Sequence, residues 1–126
     1  MMSRHDLLLA GRRVLVTGGA RGLGYAFAQA IGQAGARVVI ADVLHERVQQ
    51  AAGELRALGL DVQAVAVDLA QPTSIQACVD ATISLLGGLD GLVNNASITN
   101  SGGKGCEELS IDTWDQVMQV NVRGTW

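Results

Sequence analysis

The chain has 126 residues and a mass of 13.1 kDa, and nine Lys and Arg against twelve Asp and Glu leave a net charge of −3. That length is one modest domain. Mild acidity without like-charge blocks, with aromatic residues at 3 %, excludes a binder that tracks phosphates or stacks bases.

The predicted elements alternate along the chain. Val14-Leu15-Val16, Val38-Val39-Ile40, Val62 to Val67, and Leu89 with Leu92-Val93 are short apolar runs without clean polar alternation. Such runs predict strands buried on both faces. Between the first two, Leu23, Ala26, Phe27, Ala30, Ile31 and Ala34 recur at helical spacing and predict one apolar stripe on a first helix. Val48, Ala51, Ala52, Leu55 and Leu58 predict a second helix, and Ile75, Cys78, Val79, Thr82, Ile83 and Leu86 a third. Gly35, Gly59 and Gly87-Gly88 follow these helices as stop signals, and Pro72 stands where the third should start. The stretch from Ala96 to Leu109 shows no period and reads as a long loop, functional or a plain surface connection. Ser110 or Asp112 then caps a fourth helix with Ile111, Trp114, Met118, Asn121 and Thr125 along one side. Asn121 interrupts an apolar face, so its amide must find partners. Regular β-α alternation implies an open α/β fold with a parallel sheet and helices on its faces.

Sixteen glycines are nearly double the ordinary share, and their placement carries the chemistry. The first strand runs into Thr17-Gly18-Gly19-Ala20-Arg21-Gly22-Leu23-Gly24 and then a helix. Glycines there let the backbone turn sharply, approach a diphosphate and pack helix on strand, while the helix start offers free N–H groups to the anion. Asp42 closes the second strand eighteen residues after Gly24. A carboxylate there can accept both hydroxyls of an adenosine ribose and repel a 2′-phosphate, favouring NAD over NADP. Arg21 argues mildly the other way. The plainer reading of Asp42 is a strand-end residue capping the next helix. Asp68, with Leu69 after it, follows the third strand and suits either an adenine amino group or a turn before Pro72. Asn94-Asn95 ends the fourth strand, where two carboxamides can tie strands together, line the cofactor cleft, or do both.

Two cysteines, Cys78 and Cys106, and two histidines, His5 and His45, show no ligand spacing, so neither a structural zinc nor a disulfide scaffold is expected. Cys106 reads as an incidental thiol and the histidines as surface residues. Trp114 and Met118 read as core or subunit-contact positions. The run from Leu7 to Ala10 is too short for a signal core or a membrane span, and a cytoplasmic protein is expected.

Together these residues resemble the short-chain dehydrogenase/reductase family. Its motif Thr-Gly-x-x-x-Gly-x-Gly is matched by Thr17, Gly18, Gly22 and Gly24, and its two strand-end acids by Asp42 and Asp68. Its Asn-Asn-Ala-Gly appears as Asn94-Asn95-Ala96-Ser97, with serine replacing the glycine, and its helical Asn as Asn121. The resemblance implies a Rossmann-type, doubly wound parallel sheet over residues 1–126. It also implies an NAD site that adds Arg21, Leu23, Val43, Leu69 and Ala96 to the motif residues, and a role for Asn121 in shaping a proton relay. Hydride transfer between a nicotinamide and an alcohol or ketone is the implied reaction. The family's Tyr, Lys and Ser do not occur in matching positions: the only tyrosine is Tyr25 and the only lysine Lys104.

The chain is therefore expected to be the cofactor-binding half of a longer enzyme, with the loop from Ser97 to Glu108 as one pocket wall and a homo-oligomer by analogy. An isolated chain of this extent is expected to be marginal in stability or to associate through an edge strand and apolar faces. A non-catalytic dinucleotide-binding module is the competing reading. A methyltransferase is disfavoured by the glycine spacing and by the Asn94-Asn95 pair.

Overall fold

A computed structural model describes residues 7–126; the expectation for His5 lies outside them. Four strands and four α-helices alternate as β1 (Arg13–Thr17), α1 (Gly22–Gln33), β2 (Arg37–Asp42), α2 (His45–Ala57), β3 (Val62–Ala66), α3 (Pro72–Leu86), β4 (Gly91–Val93) and α4 (Ile111–Met118). The strands form one parallel sheet in the order β3-β2-β1-β4, with Val14 aligned to Val38 and Gly91, and Val38 to Val62. This is the expected Rossmann-like arrangement.

Strand periodicity divides the core. Val14, Val16, Val38, Ile40 and Val62 point to one face, where Ala28 of α1 and Val48, Ala51, Ala52 and Leu55 of α2 cover them. Leu15, Val39 and Ala41 point to the other, against Val67 and against Cys78 and Leu86 of α3. Burial pushes the Cys78 thiol up from its usual range. Only the two central strands are buried on both faces; Ala66 of β3 and Leu92 of β4 are exposed on the edges. At the opposite end from the glycine loop, Arg13 grips the α3–β4 turn. Its Nε and Nη2 donate to Asp90 at 2.9 and 3.1 Å, and its Nη1 donates to Gly87 O at 2.9 Å. That guanidinium holds the Asp90 carboxyl down at about 2.

The helix ends follow the sequence reading. Gly35, Gly59 and Gly87 are left-handed, Pro72 occupies the first turn of α3, and the Ser110 Oγ accepts from the Thr113 N–H. The α1 stripe does not. Leu23 is 68 % exposed and Phe27 38 %, Ala26 and Ala30 face outward with them, and the buried face is Gly24, Ala28 and Gly32. The turn sets this phase: a Cβ on Gly24 would collide with Gly18 O, so Gly24 must face inward, and Ala28 and Gly32 follow one turn apart. Ile31 alone of the predicted stripe packs on the core.

The expected side of α4 is corrected as well. Ile111, Trp114, Met118 and Thr125 are exposed, so Trp114 and Met118 are not core, and Thr113, Val117, Val120, Asn121 and Gly124 face the protein. Beyond Met118 the helix widens into a π-helical segment, Gln119–Gly124. The inward residues still recur at helical spacing, so the period holds and the helix is rotated from the expected side, with Asn121 bordering both faces. The loop after β4 holds one short 3-10 turn, Cys106–Glu108. Among the described residues no helix is long and apolar enough to cross a membrane.

Candidate functional site

The carboxyl ends of the strands open into a cleft of about 630 Å³. Parallel strands deliver all their following loops to this edge. Nine of the expected site residues line it: Gly18, Arg21 and Gly22 from the glycine turn, Asp42 and Val43 after β2, Asp68 and Leu69 after β3, and Asn95 and Ala96 after β4.

The glycine turn is fixed from two sides. Gly18 N and Gly19 N donate to Ala41 O at 2.7 and 3.2 Å, and Ala20 N donates to Asp42 Oδ2 at 3.1 Å. The other carboxylate oxygen of Asp42 accepts from Leu44 N at 3.1 Å, so Asp42 joins the turn to the start of α2 while lining the cleft. Across β1, the Thr17 hydroxyl accepts from Asn95 N and Ala96 N at 3.2 and 3.1 Å, and the Asn95 amide donates to Thr17 O and Gly18 O at 3.1 and 3.3 Å. Asn95 thus ties strands together and lines the cleft. Asn94 points the other way, into a separate groove on the α3 face that also takes in Thr17. Leu23 and Gly24 do not line the cleft; Gly24 supports it by letting α1 approach the turn.

Gly22 has a φ of 59° and nothing within 4 Å of where a Cβ would stand. Open space therefore lies before the first turn of α1, whose N-cap Arg21 makes no side-chain cap. A diphosphate fits there: it needs backbone N–H donors, room and no carboxylate in the first turn, and α1 has no acid in its first turn.

Asp68 makes a tight turn, as one of its two expected roles required. Its Oδ1 accepts from Ala70 N at 3.0 Å, its own N–H donates to Ser74 Oγ at 2.9 Å, and Gln71 N donates to Asp68 O at 3.0 Å. It lines the cleft at the same time, beside Asp42 and Val43. The Asn121 amide does find partners: Oδ1 accepts from Ile98 N and Nδ2 donates to Ile98 O, both at 2.8 Å. Asn121 therefore anchors the loop after β4 instead of lining the cleft. Ser97, which replaces the family glycine, needs no left-handed backbone, since among the described residues only glycines have positive φ.

Sequence reasoning misses Leu44, Ala70, Gln116 and Val120 as cleft residues. It also misses Gly19, where a Cβ would stand 2.5 Å from the Ile40 side chain, so the glycine lets the turn lie on β2. Gly19 was findable as a further glycine in the turn. The others contribute backbone or generic side chains that carry no signal. Of the loop from Ser97 to Glu108, only Ser97 and Ile98 reach the cleft; Cys106 and Lys104 are exposed. Tyr25 lies on α1 beside Glu54 of α2, and partial burial and that carboxylate push its phenol up. A raised phenol is the opposite of one poised to give and take a proton near neutrality.

A family model for short chain dehydrogenase matches residues 12–126. An uncharacterized oxidoreductase of Thermotoga maritima is 37 % identical over 119 residues, which are 94 % of this chain and 46 % of that protein. The chain thus spans about half the length of the curated relatives it matches. A short chain dehydrogenase of Burkholderia cenocepacia, solved with NADP, is 39 % identical with a TM-score of 0.84, covering 92 % of this chain and 47 % of that one. One from Burkholderia phymatum, solved with NAD, is 33 % identical with a TM-score of 0.86, covering 92 % and 41 %.

Proposed function

The chain belongs to the short chain dehydrogenase family, and on that premise we propose that residues 1–126 form the dinucleotide-binding part of an oxidoreductase that prefers NAD(H). The bound nicotinamide supplies or accepts the hydride that interconverts an alcohol and a ketone. The reading rests above all on one observation: the glycine turn, Asp42, Asp68 and Asn95 converge on a single cleft.

Within that cleft Gly18 and Gly22 admit the diphosphate to the start of α1, and the N–H groups there bind it. Asp42, held by Ala20 N and Leu44 N, directs its remaining acceptor capacity at the ribose hydroxyls. Asp68 Oδ2, free of the turn that engages Oδ1, takes the adenine amino group. Val43 and Leu69 flank the adenine, and Asn95 and Ala96 border the nicotinamide side. Asn121 holds Ile98 in place and contributes its remaining N–H and lone pair to a proton relay. The acid that protonates the carbonyl oxygen is not Tyr25, which is turned to Glu54, and Lys104 stands on an exposed loop. The same proposal covers a cytoplasmic setting and a homo-oligomeric enzyme.

NAD against NADP is decided by charge. Relatives solved with each cofactor exist, so the family alone does not choose. Here the Asp42 carboxylate lines the cleft and would repel a 2′-phosphate. Fluorescence titration with NADH and NADPH tests this. Wild type should favour NADH by about tenfold or more, and Asp42→Ala should bring the ratio close to one. The ratio within each variant cancels any disturbance of the turn common to both ligands. Equal affinity of wild type for the two would refute the preference.

A further inference from the structure

The segment after α4 touches the far wall of the cleft through two residues that the dinucleotide reading does not use. Arg123 Nη2 donates to Ala70 O at 2.8 Å. Gly124 is buried, and a Cβ on it would stand 2.6 Å from Leu69 O and 2.9 Å from Leu69 Cβ. Its φ is not positive, so this glycine is required for space and not for conformation. Leu69 lines the cleft on one side and the groove holding Arg123 and Gly124 on the other. Apart from these two contacts, the Asp68–Gln71 turn is held mainly by its own hydrogen bonds and by Ser74.

We propose that Arg123 and Gly124 are positioning residues that set the Asp68–Ala70 turn, and through it the adenosine end of the cleft; the inference rests on the dinucleotide reading above. Asn121 and Gly124, three residues apart, face the protein together, so one segment grips Ile98 on one wall and Leu69–Ala70 on the other. Gly124 gives the close approach and Arg123 the polar link. Neither lines the cleft.

The test uses the full chain carrying Arg123→Met, which removes the hydrogen bond from an exposed side chain and opens no core, alongside Arg123→Lys. Gly124→Ala is the sharper perturbation, but its methyl group meets backbone and folding can fail, so the arginine variants carry the result. Affinities are measured for NADH, AMP and nicotinamide mononucleotide. Arg123→Met should weaken AMP and NADH by about fivefold and leave nicotinamide mononucleotide unchanged. Arg123→Lys should restore most of the loss. In an Asp68→Ala background the same substitution should cost nothing further, because the turn then has no carboxylate to place. Unchanged AMP affinity in Arg123→Met, an equal loss for both mononucleotides, or the full loss persisting with Asp68→Ala would each overturn the proposal. Wild type that binds neither NADH nor AMP would instead overturn the dinucleotide reading, and this inference with it.

Discussion

Replacing Thr17 by valine keeps the shape of the side chain and removes only its hydroxyl. That hydroxyl is 3.1 Å from Ala96 N and 3.2 Å from Asn95 N, in a residue only 6 % exposed. Asn95 N retains a second acceptor, Val93 O at 3.1 Å, but Ala96 N is left without a partner. An orphaned N–H in a site of this kind costs about 1–3 kcal/mol, and the weak bond from the hydroxyl to Val93 O at 3.4 Å is lost with it. Thr17→Val should therefore destabilise the chain by about 2 kcal/mol. Thr82→Val supplies the control. Thr82 is fully buried, and its hydroxyl donates to Cys78 O at 2.8 Å, a carbonyl within α3 that remains part of the helix ladder. Losing that bond is offset by the gain of a buried methyl group, so the change should stay within about 0.5 kcal/mol. Urea unfolding followed by far-UV circular dichroism, with the slope checked for constancy, measures both. Equal losses in the two variants, or a Thr17→Val chain as stable as wild type, would refute the assignment of Thr17 as the tie between β1 and the loop after β4.

The Arg13–Asp90 pair predicts a pH dependence. Because Asp90 is lowered from 3.8 to about 2, its contribution to stability is complete above 3.8 and is lost as pH falls toward 2. The margin in melting temperature of wild type over Asp90→Asn should be flat at neutral pH and shrink across that acid range; a margin that grows with acid would show the sign to be wrong. Asn121→Ala removes both partners of the Ile98 backbone. Exchange of the Ile98 amide should accelerate by about tenfold or more with the sheet amides unchanged, and an unchanged rate would show that the loop is held by something else.

The sheet was legible because buried parallel strands leave unmistakable apolar runs, and the helix ends because Gly87 and Pro72 have only a few places to be. The strand-end acids and Asn95 were legible for a related reason: polar residues directly after buried strands must lie at the carboxyl edge. What periodicity did not reveal was rotation. In α1 both a small-residue face and a large-residue face are apolar, and only the contact of Gly24 with Gly18 O decides between them. In α4 the large apolar residues Ile111, Trp114 and Met118 face outward while Thr113, Val117 and Val120 face inward, so side-chain size and hydrophobicity point to the wrong side. Asn94 and Asn95 looked equivalent as a pair, yet adjacent strand-end residues point to opposite faces, so only one of them reaches the cleft.

The start of α1 is bare. Glu46 lies in the first turn of α2 and Ser110 caps α4; α3, like α1, has neither a side-chain cap nor an acid in its first turn, but it opens on Pro72, which has no N–H to satisfy, whereas α1 follows Arg21 with its first N–H groups open. A phosphate group seated there would do for α1 what the serine hydroxyl does for α4, so the ligand acts as a missing piece of secondary structure. Binding and folding then share one free energy. The ligand-free chain should fray first at Gly22–Tyr25, and saturating it with dinucleotide should raise the unfolding temperature of the very sheet that α1 covers. On the proposed reading, the arriving dinucleotide would complete the start of the helix that covers the sheet.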